Sequence, residues 1–532
     1  MKSLMTIHAP AAVLLLAVVV AHSASAQKPG GILKLYSWDS PPSVSPLDGP
    51  NPIGQRVTAP VFNNLIMFDQ HVKQNSMQSI VPDLAIGWTW NEEGTALTFS
   101  LRQGIKWHDG KPLTANDVKC TWDLLLEKSS DKLRGNPLKF WYTNLDEVTT
   151  NGDSEVIFHL KRPQPAFLML LADGFSVIYP CHVPAAQMRQ HPIGTGPFKF
   201  IEFKPNEYIR MRRNPDYWKP DRPYVDGIEF TIIKNMSTAT LAFISGKLDM
   251  TFPYSLSVPL MREVSSQVPQ AICEMAPWGG VNTHLLVNRT KPPFDNPDLR
   301  RAMALSLDRK AFIDILSEGQ GGIGGVLQPQ PYGLWGMPPE RLQTLPGYDP
   351  DVQKNRAQGR QIMEKIGYGP DNRLKIKVST RDLPTFRDPA VLLIDQLKEV
   401  YIDGELEVID TTVYYPKIQR KDFTIGLNNQ SSGPDPDRTF GLNYQCGANS
   451  NWDGYCNPDV DRMIEQQSVE HDEGRRKELV WAIEKKLAEE GARPIIFYTR
   501  MGTCWRPYVK GLTIMVNSLF NSNRMEDVWL DQ

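Results

Sequence analysis

The sequence predicts an α/β protein built from two bodies, with an α+β first half and an α/β second half. Three observations support this expectation. The composition, with 41% hydrophobic and 22% charged residues among 532, is that of a globular protein. Apolar residues alternate with polar ones in short segments of the first half, which is the period of a half-buried strand. Beyond about residue 285, segments with strand and helix patterns alternate, as in a sheet covered by helices.

The first 26 residues have the features of a secretory signal. Met1 and Lys2 are followed by an apolar run at residues 11–21 and then by Ala24-Ser25-Ala26. This order predicts cleavage after Ala26. The run is shorter than the roughly 20 residues that a membrane-spanning helix needs. No cysteine follows the cleavage site, so we expect a soluble periplasmic protein without a lipid anchor.

Two strands and a helix are predicted in the first half. Thr114 can cap a helix, with Asp117 in the capping-box position three residues later. Val118, Trp122 and Leu125 then share one face of that helix. The two strands show alternating apolar residues, at Leu97, Phe99 and Leu101 and at Val156, Phe158 and Leu160.

A helix is predicted to begin at Asn296-Pro297, since asparagine caps helices and proline suits their first turn. Gly319 is expected to end it. Its apolar stripe consists of Leu299, Met303 and Leu307.

The rest of the second half predicts a strand, a helix and a second strand in succession, which favours parallel pairing of the strands. A later helix is expected to stop near Gly491, and a strand at residues 495–498 then leads into the tail. The residues with these periods are Leu374, Ile376 and Val378, then Leu393, Leu397 and Tyr401, then Leu406 and Val408, and finally Leu479, Ile483 and Leu487.

A glycine-rich tract occupies residues 319–325. It lacks the Lys-Ser/Thr ending of a phosphate-binding loop and follows a helix, whereas such a loop precedes one. We therefore expect a flexible connector there.

Charge and motif content exclude several function classes. The formal net charge is −2, so no general field attracts a nucleic acid. The nine histidines have no metal-ligand spacing, and we expect neither a metal nor a cofactor. The rival hypothesis is a secreted hydrolase acting on peptides or glycosides. His108-Asp109 is compatible with a catalytic triad, but the chain has no Gly-x-Ser-x-Gly or His-Glu-x-x-His motif.

The six cysteines are an even number, which permits disulfides in an oxidising compartment. Cys446 and Cys456 enclose a short loop of turn-forming residues and are the first predicted pair. Closing such a loop stabilises a protein by roughly 3 kcal/mol in the chain-entropy model. Cys273 with Cys504 is the second predicted pair, and six buried free thiols are the alternative.

Several stretches resemble the family 5 extracellular solute-binding proteins, which bind peptides, oligopeptides or nickel for ABC importers. In this order they cover nearly the whole mature chain. The most specific stretch is Trp107-His108-Asp109-Gly110-Lys111-Pro112-Leu113-Thr114-Ala115-Asn116-Asp117-Val118. The others are Gly194-Thr195-Gly196-Pro197-Phe198, Arg213-Asn214-Pro215-Asp216-Tyr217-Trp218, Gly246-Lys247-Leu248-Asp249, Asn296-Pro297 with Leu299-Arg300-Arg301-Ala302, and Tyr455-Cys456-Asn457-Pro458 with Asp461.

The resemblance implies a two-lobed periplasmic-binding-protein clamp whose first lobe is discontinuous and carries an extra α+β subdomain. We place lobe I at residues 27–285, with the subdomain at about 70–190, lobe II at 286–495, and a tail at 496–532 that returns to lobe I. The implied function is capture of a small organic solute and delivery to an inner-membrane permease. The protein is expected to be a monomer and not an enzyme.

The resemblance also implies a carboxylate-binding arginine. In dipeptide binders of the family an arginine near the end of this strand grips the ligand carboxylate, and a planar guanidinium suits that contact. Here Arg381 follows the strand that begins at Leu374. Arg387 is the second choice, and the alternative is that Arg381 is a surface residue paired with Asp382.

One segment departs from the family pattern. Peptide binders carry an aspartate a few residues before an Asp-Pro turn, where it neutralises the ligand ammonium. In this chain the stretch has only amides and hydroxyls, including Asn429 and Gln430, and Asp435 lies within the turn itself. We expect these three residues at the site. The departure leaves open a peptide-like ligand, an opine-like compound, a sugar or an organic acid.

Aromatic side chains are expected to form the apolar walls of the ligand site. Trp278 is the first candidate because it lies beside Gly279-Gly280 near the lobe boundary. Trp38 and Trp452 are the next candidates, and packing in the core is the alternative for each.

Overall fold

The computed structural model describes residues 27–48, 52–276, 280–448, 450–521 and 523–532. The predicted signal and Trp278 lie outside the described residues. The strands are β1 (Ile32–Ser37), β2 (Ile66–Phe68), β3 (Ile80–Pro82), β4 (Ala85–Trp90), β5 (Ala96–Leu101), β6 (Leu145–Asn151), β7 (Glu155–Leu160), β8 (Phe198–Lys204), β9 (Tyr208–Arg213), β10 (Gly227–Ile232), β11 (Ile272–Ala276), β12 (Val281–Val287), β13 (Gly321–Gly322), β14 (Leu374–Arg381), β15 (Ile402–Ile409), β16 (Ile425–Ser431), β17 (Ile495–Thr499), β18 (Met501–Trp505), β19 (Val509–Lys510) and β20 (Trp529–Leu530).

The helices complete the secondary structure of the same residues. Short 3-10 turns lie at Ala59–Val61, Met77–Ser79 and Pro137–Tyr142. The α-helices are α1 (Pro52–Thr58), α2 (Ala115–Leu125), α3 (Phe167–Ala172), α4 (Ala185–Met188), α5 (Met236–Ile244), α6 (Val258–Gln267), α7 (Pro297–Leu305), α8 (Arg309–Ser317), α9 (Pro339–Leu342), α10 (Val352–Lys365), α11 (Pro384–Lys398), α12 (Thr411–Gln419), α13 (Pro436–Asn443), α14 (Pro458–Ser468) and α15 (Glu473–Glu489).

The larger hydrophobic core draws its residues from both ends of the chain, between positions 33 and 276 and between 504 and 530. We call the body around this core lobe I. It contains a four-stranded sheet in the order β1-β10-β9-β8, in which β1 and β10 are parallel. A second sheet, β4-β5-β7-β6, is antiparallel and packs against α2. The predicted strands at Leu97 and Val156 are confirmed as neighbours in that sheet.

The predicted capping box at the start of α2 is confirmed. Thr114 is the N-cap, and its backbone N–H donates to Asp117 over 2.9 Å. The Asp117 carboxylate also accepts from the backbone N–H of Cys181. Asp117 therefore fixes both the start of the helix and a segment 64 residues further along the chain.

Lobe II is built on a six-stranded sheet in the order β13-β17-β12-β16-β14-β15. The predicted parallel pairing of β14 with β15 is confirmed, and α11 connects them and packs on both. The strands β12, β16 and β17 of this sheet pair antiparallel, so the sheet is mixed. The lobe limits at residues 285 and 495 stay predictions, although β12 and β17 as wholes belong to this sheet.

The helix predicted from Pro297 to Gly319 is wrong as a single element. It is two helices, α7 and α8, and Leu307 lies between them. The side chain of Asp308 accepts a hydrogen bond from the backbone N–H of Ala311 over 2.9 Å, which starts a second helix. Gly319 follows α8 with a φ of +77°, as a helix stop requires.

The flexible connector predicted at residues 319–325 is also wrong. Gly321 and Gly322 form β13 and pair with β17. A Cβ atom on Gly324 would lie 2.8 Å from the Tyr498 ring, and one on Gly325 would lie 2.6 Å from the Glu484 carboxylate. These glycines permit close packing of the sheet edge.

Three disulfides link Cys120 to Cys181, Cys273 to Cys504 and Cys446 to Cys456. The sequence analysis named the last two pairs and missed the first. Cys273 and Cys504 are opposite each other in the ladder of β11 and β18, so this bridge joins a strand before lobe II to one after it. The third bridge closes a loop that begins after α13 and ends before α14; we call residues 446–456 the disulfide loop.

The lobes contact each other through a buried ion pair. Arg438 on α13 of lobe II donates to the Asp173 carboxylate of lobe I over 2.9 Å, and both side chains are less than 10% exposed. The guanidinium also lies 4.8 Å from the centres of the Trp141 and Phe520 rings. Nearby, Gln164 donates to Asp437 across the same boundary. The two lobes are therefore in direct contact at this boundary.

Removing one partner of this pair is expected to be costly. Arg438→Ala leaves Asp173 buried without its cation and should lower the free energy of unfolding by about 3–5 kcal/mol. Denaturant titration measures this loss, and solution scattering should show a larger radius of gyration. Arg462→Ala is the control, because its partner Asp459 is solvent-exposed and such pairs contribute about 0.5 kcal/mol or less. Equal effects of the two substitutions would contradict the assignment.

Candidate functional site

Arg381 is the last residue of β14, at the carboxyl end of a strand that is parallel to both its neighbours. Ligands of α/β sheets bind outside such ends. The guanidinium lies 3.4 Å from the centre of the Phe386 ring and 5.1 Å from that of Tyr415. Its Nε is buried without a hydrogen-bond partner. Burial lowers the pKa of Arg381, opposed first by Tyr415.

The neighbouring charges leave Arg381 without a carboxylate partner among the described residues. Asp382 pairs with Arg387, whose Nη1 lies 3.8 Å away, and Arg387 also lies 3.5 Å from Asp388. Asp382 therefore pairs with Arg387 in this exposed cluster, and the alternative in which Asp382 neutralises Arg381 does not hold. Arg387 has its own partners, and Arg381 has a free guanidinium.

Trp38 and Asp39 of lobe I follow the carboxyl end of β1. The Asp39 carboxylate is close enough to act on the pKa of Arg381. The Trp38 ring packs edge-on against Phe252 at 5.4 Å and lies 5.2 Å from the guanidinium of Arg56. The ends of β1 and β14 thus approach each other across the boundary between the lobes.

Trp452 lies in the disulfide loop and reaches the same region through Tyr415. Their ring centres are 5.9 Å apart in an edge-on arrangement, and Tyr415 is in turn next to Arg381. The indole Nε1 of Trp452 is buried without a hydrogen-bond partner. Of the predicted residues, the structure thus brings together Arg381 and Trp452, whereas Trp38 packs against Phe252 and Arg56 within lobe I.

A row of polar side chains crosses the sheet beside Arg381. In the parallel ladder Ser379 is opposite Gly426, and the same register continued by two residues aligns Arg381 with Asn428. Asn428 is opposite His284 on β12. Leu427 and Leu285, the sequence neighbours of Asn428 and His284, point into the core on the other face. Asn428 and His284 are therefore on the same face as Arg381, and both are fully buried.

The predicted polar residues occupy different positions. The Oδ1 of Asn429 accepts from the Thr283 hydroxyl on the face opposite Asn428. Gln430 is on the Asn428 face, and its Oε1 accepts from Arg493 over 3.1 Å. Asp435 caps α13 and forms a two-pronged ion pair with Arg476 over 2.7 and 2.8 Å.

Arg493 is the centre of a buried hydrogen-bond network next to this row of polar side chains. Its Nη1 donates to Gln430 and to Asn443 on α13, and its Nη2 donates to Asp453 in the disulfide loop over 3.0 Å. Both charged side chains are about 1–2% exposed. Its Nη2 also donates to the backbone carbonyl of Ser450. The network connects the sheet, α13 and the disulfide loop.

Burial, and then the charge of Arg493, hold the pKa of His284 well below its ordinary value. Its Nδ1 lies 3.0 Å from the Asn282 Oδ1, and its Nε2 has no partner. His284 is therefore a neutral imidazole at physiological pH.

Sequence reasoning missed Asn428, His284, Arg493 and Tyr415. The polar residues Asn282 and His284 at alternate positions of β12 were an available signal. Alternation of this kind places both on one face. Nothing local in the sequence indicates which face the ligand would approach.

The model of the bacterial extracellular solute-binding proteins, family 5 Middle, matches residues 79–451. Di/tripeptide-binding protein 1 of Pseudomonas aeruginosa (strain UCBPP-PA14) is 26% identical over 468 residues, which cover 81% of this chain and 82% of that protein.

Solved structures share the fold. The periplasmic binding protein DppA from Helicobacter pylori in complex with peptide STSA superposes with a TM-score of 0.82, at 20% identity, over 95% of this chain and 99% of that one. AgaA from A. tumefaciens R10 in complex with agropinic acid gives 0.80 at 20% identity, over 94% and 99%. The predicted two-lobed clamp with its discontinuous first lobe is confirmed. No helix of the described residues is both long and apolar enough to cross a bilayer.

The low pKa of His284 predicts a pH dependence of stability. Below about pH 6.5 this histidine is protonated in the unfolded chain but not in the folded chain. The free energy of unfolding of the wild type therefore decreases as the pH is lowered. His284→Leu removes the titrating group, and the melting temperature of the variant relative to wild type should be higher at pH 5 than at pH 8. Differential scanning calorimetry measures both. His471→Ala, at an exposed position, is the control and should leave that difference near zero. A His284→Leu difference independent of pH would disprove the prediction.

Proposed function

The chain belongs to the bacterial extracellular solute-binding proteins of family 5, and from this premise we propose that it captures a small carboxylate between its lobes in the periplasm and delivers it to its importer. Proteins of this family are the ligand-binding components of ABC importers, which work with a membrane permease. The relative from P. aeruginosa is named for di- and tripeptides, so a peptide or a peptide-like compound is the reference class.

The observation that carries the proposal is the guanidinium of Arg381. It lies at the carboxyl end of β14, has a buried Nε without a partner and forms no ion pair within the described residues. An arginine presents a fork of donors that matches a carboxylate. A ligand carboxylate would supply the missing anion and acceptors.

The charges around the site disfavour a free ammonium on the ligand. Residues 428–434 contain no acid. The carboxylate of Asp435, the first acid after them, is bound by Arg476, and Asp173 is bound by Arg438. The Asp39 carboxylate, which acts on the pKa of Arg381, lies 3.8 Å from the Lys234 ammonium. We therefore propose a carboxylate without a free amine, of the kind found in N-blocked peptides, opine-like compounds and organic acids.

Capture by closure is consistent with the contacts between the lobes. A ligand that touches the β1 end of lobe I and the β14 end of lobe II binds the closed form better than the open one, and it shifts the equilibrium toward closure. We propose that the closed monomer is the form presented to the permease and that the ligand leaves chemically unchanged. A product formed from a bound peptide or glycoside would instead support the hydrolase.

The test compares two dipeptides on two proteins by calorimetry. N-acetyl-Ala-Ala should bind wild type better than Ala-Ala, since the acids near the site, Asp39, Asp173 and Asp435, already have cationic partners. Arg381→Ala should weaken N-acetyl-Ala-Ala by about 2–5 kcal/mol, which is roughly thirtyfold to several thousandfold in Kd.

Arg387→Ala is the matched control, because this arginine lies six residues further on and already has partners. It should change the affinity by less than about 0.5 kcal/mol. Tight binding of Ala-Ala that is indifferent to Arg381→Ala would refute the proposal.

A further inference from the structure

The buried carboxyl group of Glu484 lies against both ends of one segment of lobe II. We call this segment, residues 326–337, the strap. Glu484 is on α15 and is 2% exposed, and its Oε1 accepts a hydrogen bond from the backbone N–H of Leu327 over 2.9 Å. The backbone N–H groups of Val326 and Met337 also lower the pKa of this carboxyl group, although its Oε2 has no hydrogen-bond partner of ordinary geometry. A single side chain thus fixes the beginning and the end of the strap.

The strap connects the two lobes. The Gln328 side chain donates to the backbone carbonyl of Val516 in the tail over 2.8 Å. The backbone N–H of Val516 donates in turn to the carbonyl of Lys73 in lobe I. The side chain of Gln74, also in lobe I, donates to the backbone carbonyl of Tyr332 over 3.0 Å. Loosening of the strap ends would therefore weaken a contact between the lobes.

The surroundings of Glu484 supply no cation that neutralises it. A cavity of about 20 Å³, which is room for one water molecule, adjoins the carboxyl group. Arg309 and Arg493 also line this cavity, but backbone carbonyls bind Arg309 and the Asp453 carboxylate binds Arg493. The strap faces Glu484 with backbone N–H groups. The other titratable groups near it are the buried phenols of Tyr348, Tyr444 and Tyr498.

Burial raises the pKa of Glu484 to about 7, and the backbone N–H of Leu327 is the first group that opposes this shift. A solvent-exposed glutamate has a pKa of about 4.3. The closed strap consequently holds the proton more tightly than an opened strap does. The stability that the strap gains from Glu484 is fully present below about pH 4 and is lost as the pH rises to about 7, because the ionised form is buried without a counter-ion.

We propose that Glu484 is a pH-sensitive latch: its neutral carboxyl group keeps the strap closed, and its ionisation draws water in from the cavity and frees the strap ends. The neutral group still accepts the hydrogen bond of Leu327 through its carbonyl oxygen. The link between the lobes through Gln328 and Gln74 is then strongest in an acidic medium. This latch is separate from the carboxylate contact of Arg381 and does not depend on the identity of the ligand.

Glu484→Gln tests the latch, because glutamine keeps the shape and the acceptor for Leu327 but does not ionise. Hydrogen exchange with mass spectrometry measures opening of the strap in both full-length mature proteins at pH 5 and pH 8, after correction for the intrinsic exchange rate. Relative to the variant, the opening equilibrium of the wild-type strap should rise on the order of a hundredfold from pH 5 to pH 8, since each pH unit between the two pKa values adds about tenfold. A ratio of the two proteins that is the same at both pH values would overturn the proposal.

Glu478→Gln is the matched control on the same helix, since Glu478 is 58% exposed and pairs with Arg341. It should leave the pH dependence of the strap as in wild type. A change as large as that caused by Glu484→Gln would assign the effect to the general charge of the helix and overturn the latch. Wild type alone provides a second measurement that does not require the variant to fold: exchange in the strap should depend on pH more steeply than exchange in α2 of lobe I, and equal dependence of the two segments would contradict the proposal.

Discussion

The buried guanidinium of Arg493 is the interaction on which the arrangement of lobe II around the site depends. It is bonded to Gln430 on β16, to Asn443 on α13 and to Asp453 and Ser450 in the disulfide loop. Three consecutive segments are thereby held together by a side chain that lies 40 residues or more further along the chain. An ion pair as buried as this is costly to break, since either charge alone would lie in a medium of low dielectric. The Trp452 ring lies beside Tyr415, near Arg381, because the disulfide loop that carries it is fixed by this network.

Two of the buried arginine–aspartate pairs have different roles. Arg493 organises the interior of one lobe, whereas Arg438 reaches from α13 to Asp173 of the other. Because Asn443 belongs to the same helix as Arg438, α13 connects the network beneath the site to the contact between the lobes. A change in the position of that helix would therefore affect both the network around Arg493 and the contact between the lobes.

Local signals in the sequence predicted much of the fold and less of the site. The capping box at Thr114, the strands at Leu97 and Leu374 and the parallel pairing of β14 with β15 depend on short-range patterns, which the sequence contains. The break at Asp308 was missed because a side-chain cap within an apolar stripe interrupts it without a change of period. The segment containing Asn429 and Gln430 was recognised, but the sequence did not tell which of the two faces the Arg381 side of the sheet, since a single residue step along a strand exchanges the two faces. The ion pair of Asp435 with Arg476 joins residues 41 apart, and no local pattern reveals such a partner.

The disulfide between Cys446 and Cys456 connects the candidate site to the predicted export of the chain. Thiols stay reduced in the cytoplasm and become oxidised after export. Before oxidation, the loop that carries Trp452 and Asp453 is held by noncovalent contacts alone; the bridge then adds roughly 3 kcal/mol in the chain-entropy model. The loop therefore depends on the bridge for part of its stability, and reduction of Cys446 and Cys456 releases the segment that carries Trp452 and Asp453.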